Sequence, residues 1–258
     1  MATYEEIKNF WVESGKKELD KDGLKPTARD PYLQMLNEHY VANRLDSRAF
    51  VLDMGCGEGT SSIRFANRVE KLVGVDYSET LIQQAMQKKL TNTEFQQGDV
   101  LEMANMFPEE AFDAVVSIRC LINLPDEAQQ YQALENIFRV LKTGGTLFLS
   151  EGYQAGWDGL NLHRQRNDLD VMHVVGYNRL FENLKLERFL QEVGDVIEFI
   201  GFGEYLYGSR VTHPLLAGGA VRHDSQINKI FAELQLKNIS SRNYAECDYA
   251  GVYVVKKR

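Results

Sequence analysis

Five short apolar runs, AFVLDM, KLVGVD, TEFQQGD, FDAVVSI and GTLFLSE, follow one another between Ala49 and Glu151 with stretches of helical period among them. Strands spaced this way are too far apart in sequence for tight hairpins and need crossover connections. They must therefore lie mainly parallel, with helices on both faces of their sheet. The pattern predicts a helix running to about Val69, and a second capped by Ser78 with Leu81, Ile82, Ala85 and Met86 inward. A third runs from about Asp126 to Leu141 and is closed by Gly144 and Gly145.

Beyond Glu151 the rhythm loosens. A polar, aromatic stretch reaches about Asn178, a helix spans about Phe181 to Val193, DVIEFIGF reads as a sixth strand and YAGVYVVKK as a seventh. With the last two as an antiparallel pair, the sixth strand ends on the edge where the first five end. Segments 152–180 and 203–245 then rise above that edge, where open α/β sheets bind ligands. Ahead of the sheet, Thr3 and Glu6 have capping-box spacing, and Asp30 followed by Pro31 opens a second helix; the connection between the two (Lys21 to Pro26) is polar.

The expected fold is thus α/β, a doubly wound, seven-stranded, mostly parallel sheet in one domain of residues 1–258. It has an N-terminal helical lid (1–46), a ligand-binding core (49–151) and two substrate-cap insertions (152–180 and 203–245). Within the second insertion, Ser225, Ile227, Ile230, Phe231 and Leu234 read as an amphipathic helix, expected to cover the chamber, with a homodimer contact as the alternative.

Composition bears on partners. The net charge of −8, from 29 Lys plus Arg against 37 Asp plus Glu, argues against a nucleic-acid partner, since phosphate binding draws on surplus basic residues. Three cysteines are too few and too scattered for a disulfide framework, no apolar run approaches ~20 residues, and MATYEEIKNFW lacks the pattern of a signal peptide. A cytoplasmic protein without a membrane partner is expected.

The sharpest local signal is Asp53-Met-Gly55-Cys-Gly57-Glu-Gly59, directly after a strand and opening a helix. A turn this rich in glycine lets a ligand approach the backbone closely. Asp76 ends the second strand 23 residues later, and Asp99 follows the third strand after another 23. A carboxylate at the first place can accept both hydroxyls of a ribose, and one at the second can accept from an adenine amino group, so the ligand should contain adenosine. The dinucleotide fingerprint G-x-G-x-x-G fails in either register, at Thr60 or at Ser62, and Asp53 would face a pyrophosphate. S-adenosylmethionine, with an ammonium and a sulfonium and no phosphate, suits an acidic strand end better than NAD.

VLDMGCGEGT, VGVDYS, FQQGDV, FDAVVS and LKTGGTLFLSEG, in this order, resemble the motifs of class I S-adenosylmethionine-dependent methyltransferases, closely over residues 49–151 and loosely over the final strand pair. The resemblance implies a Rossmann-like methyltransferase fold and methyl transfer, with S-adenosylhomocysteine as product. It also implies that Asp53, Gly55 and Gly57 line the methionine portion, that Asp76 holds the ribose and that Tyr77 packs on the adenine. Asp99 and Val100 would bind the adenine edge, and Arg119 would sit near the transferred methyl. RCLINLPD and the insertion YLYGSRVTHPLL are similar to features of bacterial members from surface-polysaccharide and small-metabolite pathways. Ser117-Ile118-Arg119-Cys120 departs from the Asn/Asp-Pro-Pro-Tyr of amino-methylating members, and Arg119 stands where metal-dependent members carry an acid, so no metal is expected.

In the insertions, His163 and His213 are the candidate general bases for a hydroxyl acceptor. Tyr153, Trp157, Tyr177, Tyr205 and Tyr207 are candidate aromatic walls, and Arg164, Arg166 and Arg210, with Arg119, are candidate anion ligands. Thr27 and Arg29, before the second helix, are candidates to meet the carboxylate of S-adenosylmethionine, with local helix capping as the alternative. The expected function is methylation of a small polar metabolite, on a sugar hydroxyl by preference. The competing readings are an NAD-dependent oxidoreductase, a non-catalytic S-adenosylmethionine-binding regulator and, against the charge balance, an enzyme acting on RNA.

Overall fold

A computed structural model describes residues 2–17, 29–237 and 244–258. Helix α1 (Tyr4–Gly15) starts at a capping box in which Thr3 and Glu6 satisfy each other's backbone N–H groups, and α2 (Pro31–Ala42) starts at Asp30, whose carboxylate accepts from Leu33 N at 3.0 Å. There follow β1 (Phe50–Met54), α3 (Thr60–Ala66), β2 (Lys71–Asp76), α4 (Glu79–Met86), β3 (Thr93–Gln97), α5 (Met103–Met106) and β4 (Phe112–Ile118). Then come α6 (Glu127–Val140), β5 (Leu141–Ser150), α7 (Gln154–Arg166), α8 (Asn183–Val193) and β6 (Gly194–Gly201). The chain ends with α9 (Gly203–Tyr207), a π-helical turn (Gly208–Thr212), α10 (His213–Ala217), α11 (Gln226–Lys237) and β7 (Gly251–Lys257).

The seven strands form one sheet in the order β3-β2-β1-β4-β5-β7-β6. The first five pair in parallel, and β7 runs antiparallel to both β5 and β6, so β6 points the same way as the parallel set. Alternate residues of each strand bury into different layers. Leu52, Met54 and Val115 face Leu134, Ile137, Leu186 and Leu190 of α6 and α8, whereas Val51, Ala114 and Val116 face Leu33, Leu36 and Phe65 of α2 and α3. Each such Val, Leu, Ile, Met or Phe side chain, fully buried, contributes about 1.5–3 kcal/mol. Among the described residues no helix is long and apolar enough to cross a membrane.

Three local expectations need correction. Helix α6 ends at Val140, and Gly144 and Gly145 lie inside β5, where the register against β4 shifts between Phe112 and Ala114; the pair makes a strand irregularity rather than a helix stop. The stretch read as merely polar and aromatic contains the 13-residue helix α7. Helix α11 buries Asn228, Ala232 and Gln235 and leaves Ile227, Ile230 and Leu234 exposed, so its apolar stripe does not roof the chamber. The polar side chains are inward because each meets a partner there: Asn228 meets His213, and Gln235 meets the Tyr205 amide.

Candidate functional site

A cavity of about 670 Å³ opens at the carboxyl edge of the parallel strands. It is lined by the glycine turn after β1, by Asp76 and Tyr77 after β2, by Val100 after β3 and by Arg119 and Cys120 after β4. The N-terminal helices add Trp11 and Leu33, the first insertion adds Met172 and Tyr177, and the second adds Arg210 and His223. A second hollow of about 490 Å³, beside Ala49, Asp113 and Gly144 near the opposite edge, holds none of the candidate residues.

The glycine turn is built by its backbone. Gly55, Gly57 and Gly59 all adopt positive φ, and the N–H groups of Gly55 and Cys56 both donate to Val75 O, at 2.8 and 3.0 Å. At Gly55 a Cβ would lie 2.6 Å from the Cys120 sulfur, so both dihedral and space demand glycine there. Asp76 accepts from Gly57 N at 3.0 Å and Ser78 N at 2.9 Å, which ties the turn to the end of β2, and Asp53 accepts from Ser62 Oγ at 2.5 Å.

Burial pushes both carboxyls up. Asp53, with Asp76 and Glu38 adding repulsion, rises to about 7, and Asp76 rises to about 6 despite two backbone N–H donors. The folded chain therefore holds these protons more tightly than the unfolded chain. Their contribution to stability is present at low pH and is lost as pH rises from the unfolded value near ~4 through about 6 to 7. In the ligand-free protein, Asp53→Asn is accordingly expected to stabilise by on the order of 1–3 kcal/mol at pH 8, a thermal shift of several degrees, and by much less at pH 5. Calorimetric melting at the two pH values checks this; a destabilised variant at pH 8 would contradict it.

After β4 the chain is held by one buried side chain that the sequence did not single out. Glu151, at the end of β5, accepts from Ser117 Oγ at 2.8 Å and from the N–H groups of Cys120, Leu121 and Ile122 at 3.2, 3.0 and 3.1 Å. This clamp fixes the turn in which Arg119 adopts φ of 53°, a left-handed conformation rare outside glycine, and Arg119 N donates to Ser150 O at 2.8 Å. Arg119 and Arg29 both lie close enough to Tyr177 to oppose the upward shift that burial gives its phenol.

Of the cofactor candidates, Asp53, Gly55, Gly57, Asp76, Tyr77, Val100, Arg119 and Arg29 line the cavity together. Asp99 does not. Its carboxylate accepts from Tyr4 Oη at 2.6 Å and pairs with Lys8 Nζ at 2.7 Å, so it anchors α1 to the sheet. Thr27 and the connection Lys21 to Pro26 lie outside the described residues.

Neither candidate base lines the cavity. His163 pairs with Glu246 at 2.9 Å and packs edge-on against Tyr207. His213 is buried, with Nδ1 2.8 Å from Asn228 Oδ1. His163, Glu246 and Cys247 bring their donor atoms within 4.8 Å of one another, the one such group of three among the described residues, but burial pushes the Cys247 thiol up to about 12, far from a metal-binding thiolate.

Trp157 and Tyr177 form aromatic wall, whereas Tyr153, Tyr205 and Tyr207 belong to the packing. Tyr153 donates to Leu149 O at 3.0 Å within the core, Tyr205 donates to Asp30 at 2.6 Å, and Tyr207 stacks on Tyr244. Arg164 donates to Asp170 O at 2.6 Å, outside the cavity, and Arg210 forms an ion pair with Asp30 at its wall. His223 does line the cavity, and no spacing in the sequence marked it out.

Residues 51–145 match a family model described as a methyltransferase domain. The chain is 31% identical over 137 residues to the sterol 24-C-methyltransferase of Aspergillus fumigatus, covering 47% of this chain and 34% of that one. It is 36% identical over 117 residues to the demethylmenaquinone methyltransferase of Lactiplantibacillus plantarum, covering 43% and 48%. The chain thus spans half or less of the curated relatives it matches. In fold it is similar to the N-methyltransferase NodS of Bradyrhizobium japonicum in complex with S-adenosyl-L-homocysteine, with a TM-score of 0.53 and 14% identity over 98% of this chain and 97% of that one.

Proposed function

We propose that this chain, whose residues 51–145 match a methyltransferase domain, moves a methyl group from S-adenosylmethionine to a hydroxyl of a small polar molecule, a sugar or related intermediate by preference. The observation that carries the reading is that one continuous cavity of about 670 Å³ joins the glycine turn and its carboxylates to a chamber walled by Trp11, Trp157, Tyr177 and Tyr249. Its volume falls in the range of pockets that enclose drug-sized ligands.

The residues fit the cofactor. Asp53 and Asp76 face the cavity and, among the described residues, accept from Ser62 Oγ and from the Gly57 and Ser78 N–H groups rather than from a Lys or Arg, a setting that favours a cationic nucleoside and repels a pyrophosphate. Asp76 would accept the ribose hydroxyls, Tyr77 and Val100 would flank the adenine, and Gly55 would let the methionine portion lie against the backbone. With Asp99 engaged by α1, the adenine edge falls to backbone groups near Val100. Arg119 and Arg29 are the cations placed to meet a carboxylate. NodS, bound to the demethylated product, supports this placement through its fold. S-adenosylmethionine supplies, when bound, a methyl group on a good leaving sulfonium, so the chain's task is to align an acceptor and exclude water.

The relatives carry names for sterol and demethylmenaquinone substrates, so kinship leaves the acceptor open and the chamber must choose it. Incubating the protein with methyl-deuterated S-adenosylmethionine and a small-molecule extract, then searching by mass spectrometry, is expected to reveal a product with a trideuteromethyl ether in place of a hydroxyl hydrogen. Label on carbon or nitrogen would refute the hydroxyl preference. Cofactor binding with no labelled product would refute methyl transfer and favour a binding protein.

A further inference from the structure

His223 is half-buried on the chamber wall, and its Nδ1 is buried with no hydrogen-bond partner, one of three such side-chain atoms among the described residues. Buried polar atoms are nearly always satisfied, so an orphan on a ligand cavity marks a group whose partner comes with the ligand. The segment that carries it is fastened at three successive carbonyls. Asn228 Nδ2 donates to Arg222 O at 3.2 Å and His223 O at 3.1 Å, and Tyr32 Oη donates to Asp224 O at 3.2 Å. Asn228 is oriented in turn by His213 at 2.8 Å and by Ser225 Oγ, which accepts from its backbone N–H at 3.2 Å. His213 is therefore a positioning residue at one remove from the chamber.

We propose that His223 is the catalytic base that removes the proton from a hydroxyl acceptor, an inference that rests on the methyl-transfer reading above. As the acceptor oxygen forms its bond to the methyl carbon, the carbon–sulfur bond breaks and its electron pair stays on sulfur. The hydroxyl proton passes to the imidazole of His223 and from there to solvent. Atoms and charge balance without a further reactant. The positively charged sulfonium becomes a neutral thioether, and the positive charge appears on the imidazolium before the proton leaves.

The surroundings keep this imidazole neutral. Arg210, in the π-helical turn, and then burial hold it down at about 4; Asp30 and Asp224 oppose that effect, and Arg29 adds to it. Arg222, next in the chain, carries its charge against Asp224 at 2.8 Å. A histidine whose folded value lies below its unfolded value is neutral through the physiological range and a weaker base than a free imidazole, so its place against the acceptor, not its basicity, carries the role. Arg210 is itself fixed by its ion pair with Asp30 and by Ser209 Oγ at 2.9 Å, so the pressure on His223 is built into the scaffold.

The test uses His223→Ala and His223→Gln with methyl-deuterated S-adenosylmethionine and the small-molecule extract as probes. Calorimetry is expected to show cofactor affinity unchanged within about threefold, while label incorporation at pH 7 falls by roughly 10²–10³-fold, the usual weight of a general base. Added imidazole is expected to restore part of the rate to His223→Ala, which a merely structural loss would not allow.

Undiminished labelling by variants that bind the cofactor overturns the assignment alone. Absence of imidazole rescue in a folded His223→Ala also overturns it. Failure of the unmodified protein to label anything while binding the cofactor overturns the methyl-transfer reading, and this inference falls with it.

Discussion

Glu151→Ala is expected to lose about 4 kcal/mol or more of folding stability, enough to leave a large unfolded fraction in a protein of ordinary stability. The residue is 1% exposed, and its two oxygens satisfy one hydroxyl and three consecutive backbone N–H groups. Truncation strands these donors in a site that water fills poorly, and each stranded donor costs about 1–3 kcal/mol. Glu151→Gln separates charge from geometry. It keeps one oxygen for the Ser117, Cys120 and Leu121 donors but turns an amide N–H₂ toward Ile122, so a loss of about 1–2 kcal/mol is expected. Urea denaturation of the three proteins checks the order, and a Glu151→Ala midpoint close to the unmodified value would refute the clamp. Because the same clamp holds the turn of Arg119, Glu151→Gln should also weaken cofactor binding while leaving the sheet intact.

Asp76→Ala is expected to weaken S-adenosylmethionine binding by roughly 100-fold or more. Two charge-assisted hydrogen bonds to ribose hydroxyls, at about 1.5–3 kcal/mol each, would be lost. Gly57 N and Ser78 N would also lose their acceptor, loosening the turn on which the ligand rests. Asp76→Asn keeps the shape and one oxygen and should fall between the two.

The pH dependence has a definite sign. In the free chain the Asp76 carboxyl lies at about 6, and a hydrogen-bond-donating, cationic ligand favours its ionised form. Affinity should therefore rise as pH increases through about 6 and, because Asp53 lies at about 7 and faces the same cationic ligand, level off only above about 7; Asp76→Asn should lose the lower part of this slope. Isothermal titration at pH 5.5 and 7.5 measures both effects; affinity that is unchanged in Asp76→Ala, or that falls with rising pH, would rule out the ribose role.

The two predictions concern residues that differ in how much the sequence revealed. Asp76 stands at a strand end at a fixed spacing from a glycine turn, and strand ends and turns are written in local pattern. Glu151 looks like any acid after an apolar strand; what distinguishes it is the loop of β4 folded over it, thirty residues back in the chain. Asp99 follows its strand on the same edge as Asp76, yet Tyr4 and Lys8, more than ninety residues away, engage its carboxylate.

The sequence by itself determined the order of the five parallel strands with α3, α4 and α6 among them, the antiparallel placement of the last strand, the caps at Thr3, Asp30 and Ser78, and the strand edge at which the cavity opens, while the short α5 went unread. All of these follow from periodicity and capping chemistry within a few residues, which the surrounding fold seldom overrides. Only the tertiary structure decided which side chains above that edge face inward. His163 and His213 turn to Glu246 and Asn228 while His223 lines the chamber, and α11 buries Asn228 and Gln235 while its isoleucines face outward. Orientation in the insertions is set by hydrogen-bond partners far away in sequence, because a buried polar group goes where its partner is, and no local pattern encodes where that partner will be.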